Sequence, residues 1–172
     1  GFNRILKAMN RCYTKEQFIE LALKIRREIP DIAITTDIIV GFPGETHEDV
    51  LETIDVIKTV KFDNAFTFQY SKRTGTPAAA MENQVPQEEV TRNFDELLAV
   101  VQQTAREQAL RFEHQTLDAL VEGINEHDSS LVTGRLSNNM IVHFKGCSDL
   151  IGKIVPVYLK ECKGFYYLGE MG

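Results

Sequence analysis

Cysteine is scarce in this chain and badly spaced for metal chemistry. Cys12, Cys147 and Cys162 stand far apart. No CxxC or CxxxCxxC run exists, so the chain holds no self-contained zinc or iron–sulfur site. Three isolated, reduced thiols are expected. His47, His114, His127 and His143 show no metal-ligand spacing and read as surface or loop residues. No Ser/His/Asp or Cys/His arrangement can be assembled. Apolar runs stay strand-sized and never approach the roughly 20 residues of a membrane span. The opening stretch is basic and amphipathic but lacks an apolar core and a cleavage site. A cytoplasmic protein without membrane contact is expected. Positive charge is also in deficit: the net charge is −6, which argues against a strongly basic nucleic-acid binder. That deficit is uneven, because the first fifteen residues carry Arg4, Lys7, Arg11 and Lys15 and no acid. A local basic face suffices to meet phosphates.

What remains is an ordinary globular composition, 43% hydrophobic and 26% charged over 172 residues, enough for one domain or two small ones. Thr14-Lys15-Glu16-Gln17 forms a capping-box pattern. Phe18, Leu21, Ala22, Ile25 and Ile29 follow at helical spacing, and Pro30 ends the helix. Ile32–Val40 is an almost continuous apolar, β-branched run, the pattern of a parallel strand buried on both faces. Gly41-Phe42-Pro43-Gly44 turns out of it. Thr46 can cap the next helix, whose stripe is Leu51, Ile54, Ile57 or Lys58, and Val60. Ala65–Tyr70 reads as a second strand, Ser71–Ala80 as a loop, and Pro86 to about Phe112 as a long helix.

Near residue 115 the helical period gives way to short strands: Thr116–Glu122, Leu131–Arg135, Ile141–Phe144, Ile154–Leu159 and Phe165–Gly169. Five strands in so short a span suggest a small closed barrel of the OB type. The predicted fold is therefore α/β: residues 1–112 as the C-terminal portion of a partial parallel (β/α) barrel, and 113–172 as a five-stranded antiparallel barrel. Two doubly buried parallel strands are too few for a complete sheet. A βα-rich N-terminal part of the same protein, absent from this chain, is the expected partner.

Active sites of parallel α/β sheets form at the C-terminal strand ends. Gly41–Thr46 and Ser71–Ala80 both leave strands there and should share one rim. The first could admit a ligand to its glycine backbone, or be a plain βα turn. The second carries Lys72, Arg73 and several hydroxyls beside Tyr70, and could grip a phosphate or carboxylate, or be a solvated loop. Arg4, Lys7 and Arg11 fall on one face of a helix over Asn3–Tyr13, suited to RNA phosphates or simply to water. In the β-module, Gly134–Asn139 and Lys145-Gly146 are polar, basic turns, although residues 111–172 hold six Lys and Arg against eight Asp and Glu. Phe144, Phe165, Tyr166 and Tyr167 could stack bases, but some must be core.

Phe2-Asn3-Arg4-Ile5-Leu6-Lys7-Ala8-Met9-Asn10-Arg11-Cys12-Tyr13-Thr14 resembles a segment of the radical S-adenosylmethionine methylthiotransferases. Thr36–Thr46 (TDIIVGFPGET) and Phe66–Ser71 with Arg73, Gly75, Thr76 and Ala78 resemble two more. Leu131–Phe144 resembles the TRAM module of their tRNA branch. Four ordered segments span essentially the whole chain. The resemblance implies a partial barrel that binds a 4Fe-4S cluster and S-adenosylmethionine. It implies methylthiolation of carbon 2 of a modified adenosine beside the anticodon, with the tRNA anticodon stem-loop as partner. By position, Ile39, Gly41, Gly44 and Glu45 would line the S-adenosylmethionine site, and Tyr70 and Arg73 would face the reaction centre. Arg135, Asn138, Asn139 and Lys145 would contact tRNA. TGRLSNN before an apolar strand is most like the branch acting on isopentenyl-type adenosine, the sister branches acting on threonylcarbamoyl-adenosine or a ribosomal protein. A non-catalytic RNA-binding module on an α/β scaffold is the alternative. The cluster-binding cysteines of the family are absent, and Cys12 alone cannot replace them, so these residues alone are expected to be inactive.

Overall fold

The computed structural model describes residues 2–172. Its contacts divide into two compact units, one ending at Ala105 and the other beginning at Arg106.

The first unit opens with α1 (Phe2–Ala8) and α2 (Lys15–Glu28), then β1 (Thr35–Val40), α3 (His47–Val60), β2 (Asn64–Gln69) and a 3-10 turn over Pro77–Ala80. Helix α4 (Gln87–Leu110) runs past the division. Both caps read from sequence form. Thr14 and Gln17 close a capping box on α2, and Thr46 and Asp49 close one on α3; each satisfies two otherwise orphaned N–H groups. β1 and β2 are parallel and in register from Thr35↔Asn64 to Val40↔Gln69. Val40, Val50, Ile54, Ile57, Val60, Phe62, Ala65 and Leu97 form the core beneath them. Burial of each large aliphatic there contributes about 1.5–3 kcal/mol.

Several expectations need correction. β1 starts at Thr35, because the peptide groups before it are taken: Arg26 donates to the Ile32 carbonyl (3.3 Å) and Asp63 accepts the Ile34 N–H (2.8 Å). The pair is not buried on both faces. Ile39, Phe66 and Phe68 are 42%, 54% and 52% exposed, since they alternate away from the helices and nothing among the described residues covers them. Leu21 and Leu51 are exposed; the buried stripe of α3 keeps Ile54, Ile57 and Val60 and adds Val50 and Val56. Helix α1 stops at Ala8, with Asn10 left-handed at φ 59°. Arg11 therefore does not share a helical face with Arg4 and Lys7.

The second unit is a closed barrel of β3 (Thr116–Ile124), β4 (Leu131–Leu136), β5 (Ile141–Lys145), β6 (Ile154–Cys162) and β7 (Tyr166–Met171) in the order β3-β4-β5-β7-β6. Every pair is antiparallel except β5 and β7, which close the barrel in parallel. Inward positions alternate along each strand: Ala119 and Val121, Val132 and Leu136, Val142 and Phe144, Val157 and Leu159. Tyr167 is fully buried, and its hydroxyl donates to the Ala109 carbonyl at 2.6 Å. The end of α4 and Phe112 thereby complete the barrel's core. Of the four aromatics, Phe144 and Tyr167 are core, while Phe165 and Tyr166 face out. Among the described residues no helix is long and apolar enough to cross a membrane.

Candidate active-site rim and nucleic-acid interface

The two strand exits of the first unit lie side by side. Val40 and Gln69 are register partners, and the Tyr70 N–H donates to the Val40 carbonyl at 2.7 Å. The chain therefore leaves both strands at one edge, and Phe42 and Tyr70 meet edge to face at 5.6 Å. Such aromatic pairs add about 0.5–1.5 kcal/mol beyond area burial.

The first crossing is built tightly. Gly41 sits at φ +85°, and a Cβ there would lie 2.6 Å from Val90; only glycine fits both constraints. Gly44, at φ +80°, donates its N–H to the Asn83 carbonyl at 2.7 Å. Glu45 turns inward, 8% exposed, and its carboxylate accepts the Gly41 N–H. Burial, with the nearby Asp49 charge, pushes its pKa up to about 7 against the opposing pull of the Gly41 N–H. Asp49 is buried too, yet its pKa is lowered. Burial pushes it up, but hydrogen bonds from Thr46 and the Arg4 guanidinium outweigh that push.

Of the expected cofactor residues, Gly41 and Glu45 thus brace the turn, Gly44 joins it to Asn83, and Ile39 stands on the uncovered strand face. Tyr70 lies on the rim with its hydroxyl buried and without a hydrogen-bond partner, an orphan that a bound ligand's polar group would satisfy. Arg73 is exposed, and its carbonyl accepts the Thr76 hydroxyl at 2.8 Å in the second crossing. This set fits a small polar ligand such as S-adenosylmethionine. It does not fit an iron–sulfur cluster. Among the described residues no three His, Cys, Asp or Glu side chains group as metal ligands, and Cys12 is exposed and alone.

The expected RNA contacts separate. Arg4, although half exposed, is committed to the Gly44 carbonyl (2.9 Å) and Asp49 (2.6 Å). Lys7 and Arg11 are exposed. Arg135 lays its fork on Glu122 (2.6 and 2.9 Å) and reaches the Asn139 carbonyl (3.3 Å) and side-chain oxygen (3.2 Å). Asn138 caps its own turn by accepting the Met140 N–H, and Asn139 is left-handed at φ 68°. Lys145 is exposed at the far end of the β4–β5 ladder, opposite Leu131, whereas Arg135 lies opposite Ile141. His143 was not legible as more than a surface residue. It is half-buried in β5, against Tyr166, Asn125 and Thr133. The alternation of Val142 and Phe144 was the available signal for its outward position.

The Radical SAM superfamily profile matches residues 1–57, and the TRAM domain profile matches residues 110–171. A curated protein of Lachnoclostridium phytofermentans is 54% identical over 171 residues, covering 99% of this chain and 38% of the relative. A protein of Acetivibrio thermocellus is 50% identical, covering 99% and 36%, and one of Clostridium botulinum 48%, covering 99% and 38%. All three are named tRNA-2-methylthio-N(6)-dimethylallyladenosine synthase. The chain spans a little over a third of the length of these relatives. With a radical SAM match at one end, a TRAM match at the other and likeness to these relatives along nearly all of its length, the chain is similar to proteins that join a radical SAM segment to a TRAM domain.

Proposed function

We propose that the chain is the tRNA-engaging portion of an enzyme that methylthiolates carbon 2 of dimethylallyl-type adenosine next to the anticodon, acting in the cytoplasm. The observation that carries this reading is the paired exit of Gly41 and Tyr70 at one strand edge, beside an uncovered apolar face. The names of the relatives favour the dimethylallyl branch over the sister branches. S-adenosylmethionine, when bound, supplies the radical chemistry. Here Ile39 offers it an apolar floor, and Glu45 holds the neighbouring Gly41–Gly44 turn rigid. Tyr70 positions a polar group through its hydroxyl, and the exposed Arg73 takes a phosphate or carboxylate of cofactor or substrate. The 4Fe-4S cluster is held by cysteines outside these residues, so this chain alone makes no product.

The test is nucleoside mass spectrometry of tRNA from a bacterium that lacks methylthiolation and expresses the complete reading frame containing these residues. Conversion of dimethylallyladenosine to its 2-methylthio form is expected, and Tyr70→Phe and Arg73→Ala should lower it at equal protein level. A parent protein that accumulates, carries iron and leaves that nucleoside unmodified would refute the reading. So would methylthiolation confined to threonylcarbamoyl-adenosine.

A further inference from the structure

The outward face of β5 and β7 gathers side chains that the sequence leaves scattered. Val142 and Phe144 point into the barrel, so Ile141, His143 and Lys145 step along its outside at about 6.6 Å per position. The parallel pairing places Tyr166 opposite Ile141 and Leu168 opposite His143. The His143 and Tyr166 rings lie 5.2 Å apart, tilted by 59°, and Tyr166 is 37% exposed. An open hollow continues from His143 over Leu168 to Lys145 and Lys160.

His143 is prepared to donate. Its Nδ1 lies 3.1 Å from the Asn125 amide nitrogen and 3.1 Å from the Thr133 hydroxyl. An amide N–H only donates, so Nδ1 accepts and the ring proton sits on Nε2. Burial and the neighbouring His127 push the ring's pKa down, favouring its neutral form. The cations differ in availability. Lys160 is paired with Glu170 at 2.6 Å, and Arg135 is forked on Glu122. Lys145 has no ion pair within 4.0 Å among the described residues. One cation without a close ion pair, four residues along β5 from the position that faces Tyr166 and within reach of the Asp128 and Glu170 charges, with Glu161 and Glu170 also lining the hollow, does not suit the phosphate rows of a duplex. It suits a short unpaired strand, whose bases stack on aromatics and whose backbone needs few cations.

The geometry points to a subsite for unpaired RNA on this face, with a base stacked on Tyr166, an acceptor on the His143 Nε2–H and a phosphate on Lys145. It rests on the proposed action on tRNA and names the surface that would hold the loop. It also moves the contact away from the Arg135–Asn139 turn, where Arg135 is already forked on Glu122.

The experiment is fluorescence anisotropy of the full 172-residue chain with a labelled single-stranded RNA heptamer and with a duplex of the same sequence. Tyr166→Leu should weaken single-strand binding about tenfold, and Tyr166→Phe should restore it. Lys145→Ala should weaken it and reduce the slope of log affinity against log salt by about 0.7. Arg135→Ala should change it less than about twofold, its fork being already committed within the protein. Thermal melts check that each variant folds; Tyr166 and Lys145 are both exposed. The subsite is refuted if Tyr166→Leu and Lys145→Ala bind like the parent, if Arg135→Ala is the most damaging change, or if duplex binds as tightly as single strand. Should the variants bind normally while the complete enzyme still modifies tRNA, only the subsite falls. If the parent chain binds neither RNA, the subsite falls whatever the complete enzyme does; the proposed function falls with it only if that enzyme also leaves tRNA unmodified.

Discussion

Gly41 shows how one residue fixes the rim. Its left-handed backbone and the Val90 methyls at 2.6 Å from any added Cβ act together, so Gly41→Ala should destabilise the first unit by about 1–3 kcal/mol. Chemical denaturation would measure this, and Val90→Ala in the same chain should recover part of it. Glu45 gives the rim a pH dependence. Its pKa rises from 4.5 to about 7 on folding, so the folded state holds the proton more tightly than the unfolded one. Stability from this group is full below about pH 4.5, falls as pH rises, and levels off above about 7. Glu45→Gln keeps an acceptor for the Gly41 N–H and removes the charge. Urea midpoints taken between pH 5 and 8 should decline for the parent and stay flatter for the variant; parallel declines would show that Glu45 is not the source.

At the scale of elements, caps and alternation explain most of what forms. Thr46→Ala removes the acceptor for the Asp49 N–H and should cost about 0.5–2 kcal/mol, readable as a lower denaturation midpoint. The Thr14–Gln17 capping box, the Thr46 cap, the two strand exits and all five barrel strands were legible, because each depends on short-range rules: a hydroxyl three residues before its partner, glycines after a β-branched run, alternation of period two. The uncovered strand face was not legible. An apolar run such as Ile38–Val40 looks the same whether both faces or one are covered, and what covers them is a matter of tertiary neighbours. The fate of Arg4 and Arg135 was hidden for the same reason. Their acidic partners Asp49 and Glu122 lie 45 and 13 residues away in sequence, and nothing local announces the pairing. His143 was underestimated because its partners come from β4, β7 and the turn at Asn125.

For the molecule as a whole, the separate cores set the expectation. The Val50–Leu97 cluster and the Ala119–Tyr167 cluster share no residue. Ile57→Ala should remove about 2–5 kcal/mol from the first unit. Tyr167→Phe should remove about 0.5–1.5 kcal/mol from the second by losing the hydroxyl's hydrogen bond to the Ala109 carbonyl, which keeps the Phe112 N–H as donor. Scanning calorimetry should show each variant lowering a different transition, whereas a single transition lowered by both would mean the cores unfold as one.

The parallel β5–β7 pair has a further meaning for how the barrel comes into being. Strand β7 is the last of the five, yet it is the neighbour of both β5 and β6. A growing polypeptide can zip β3 to β4 and β4 to β5 by local hairpins, but two ladder edges stay bare until β7 emerges to fill the gap between them. Closing the ring therefore waits on the last of its five strands, and until it arrives the margins of β5 and β6 stay open to wrong partners.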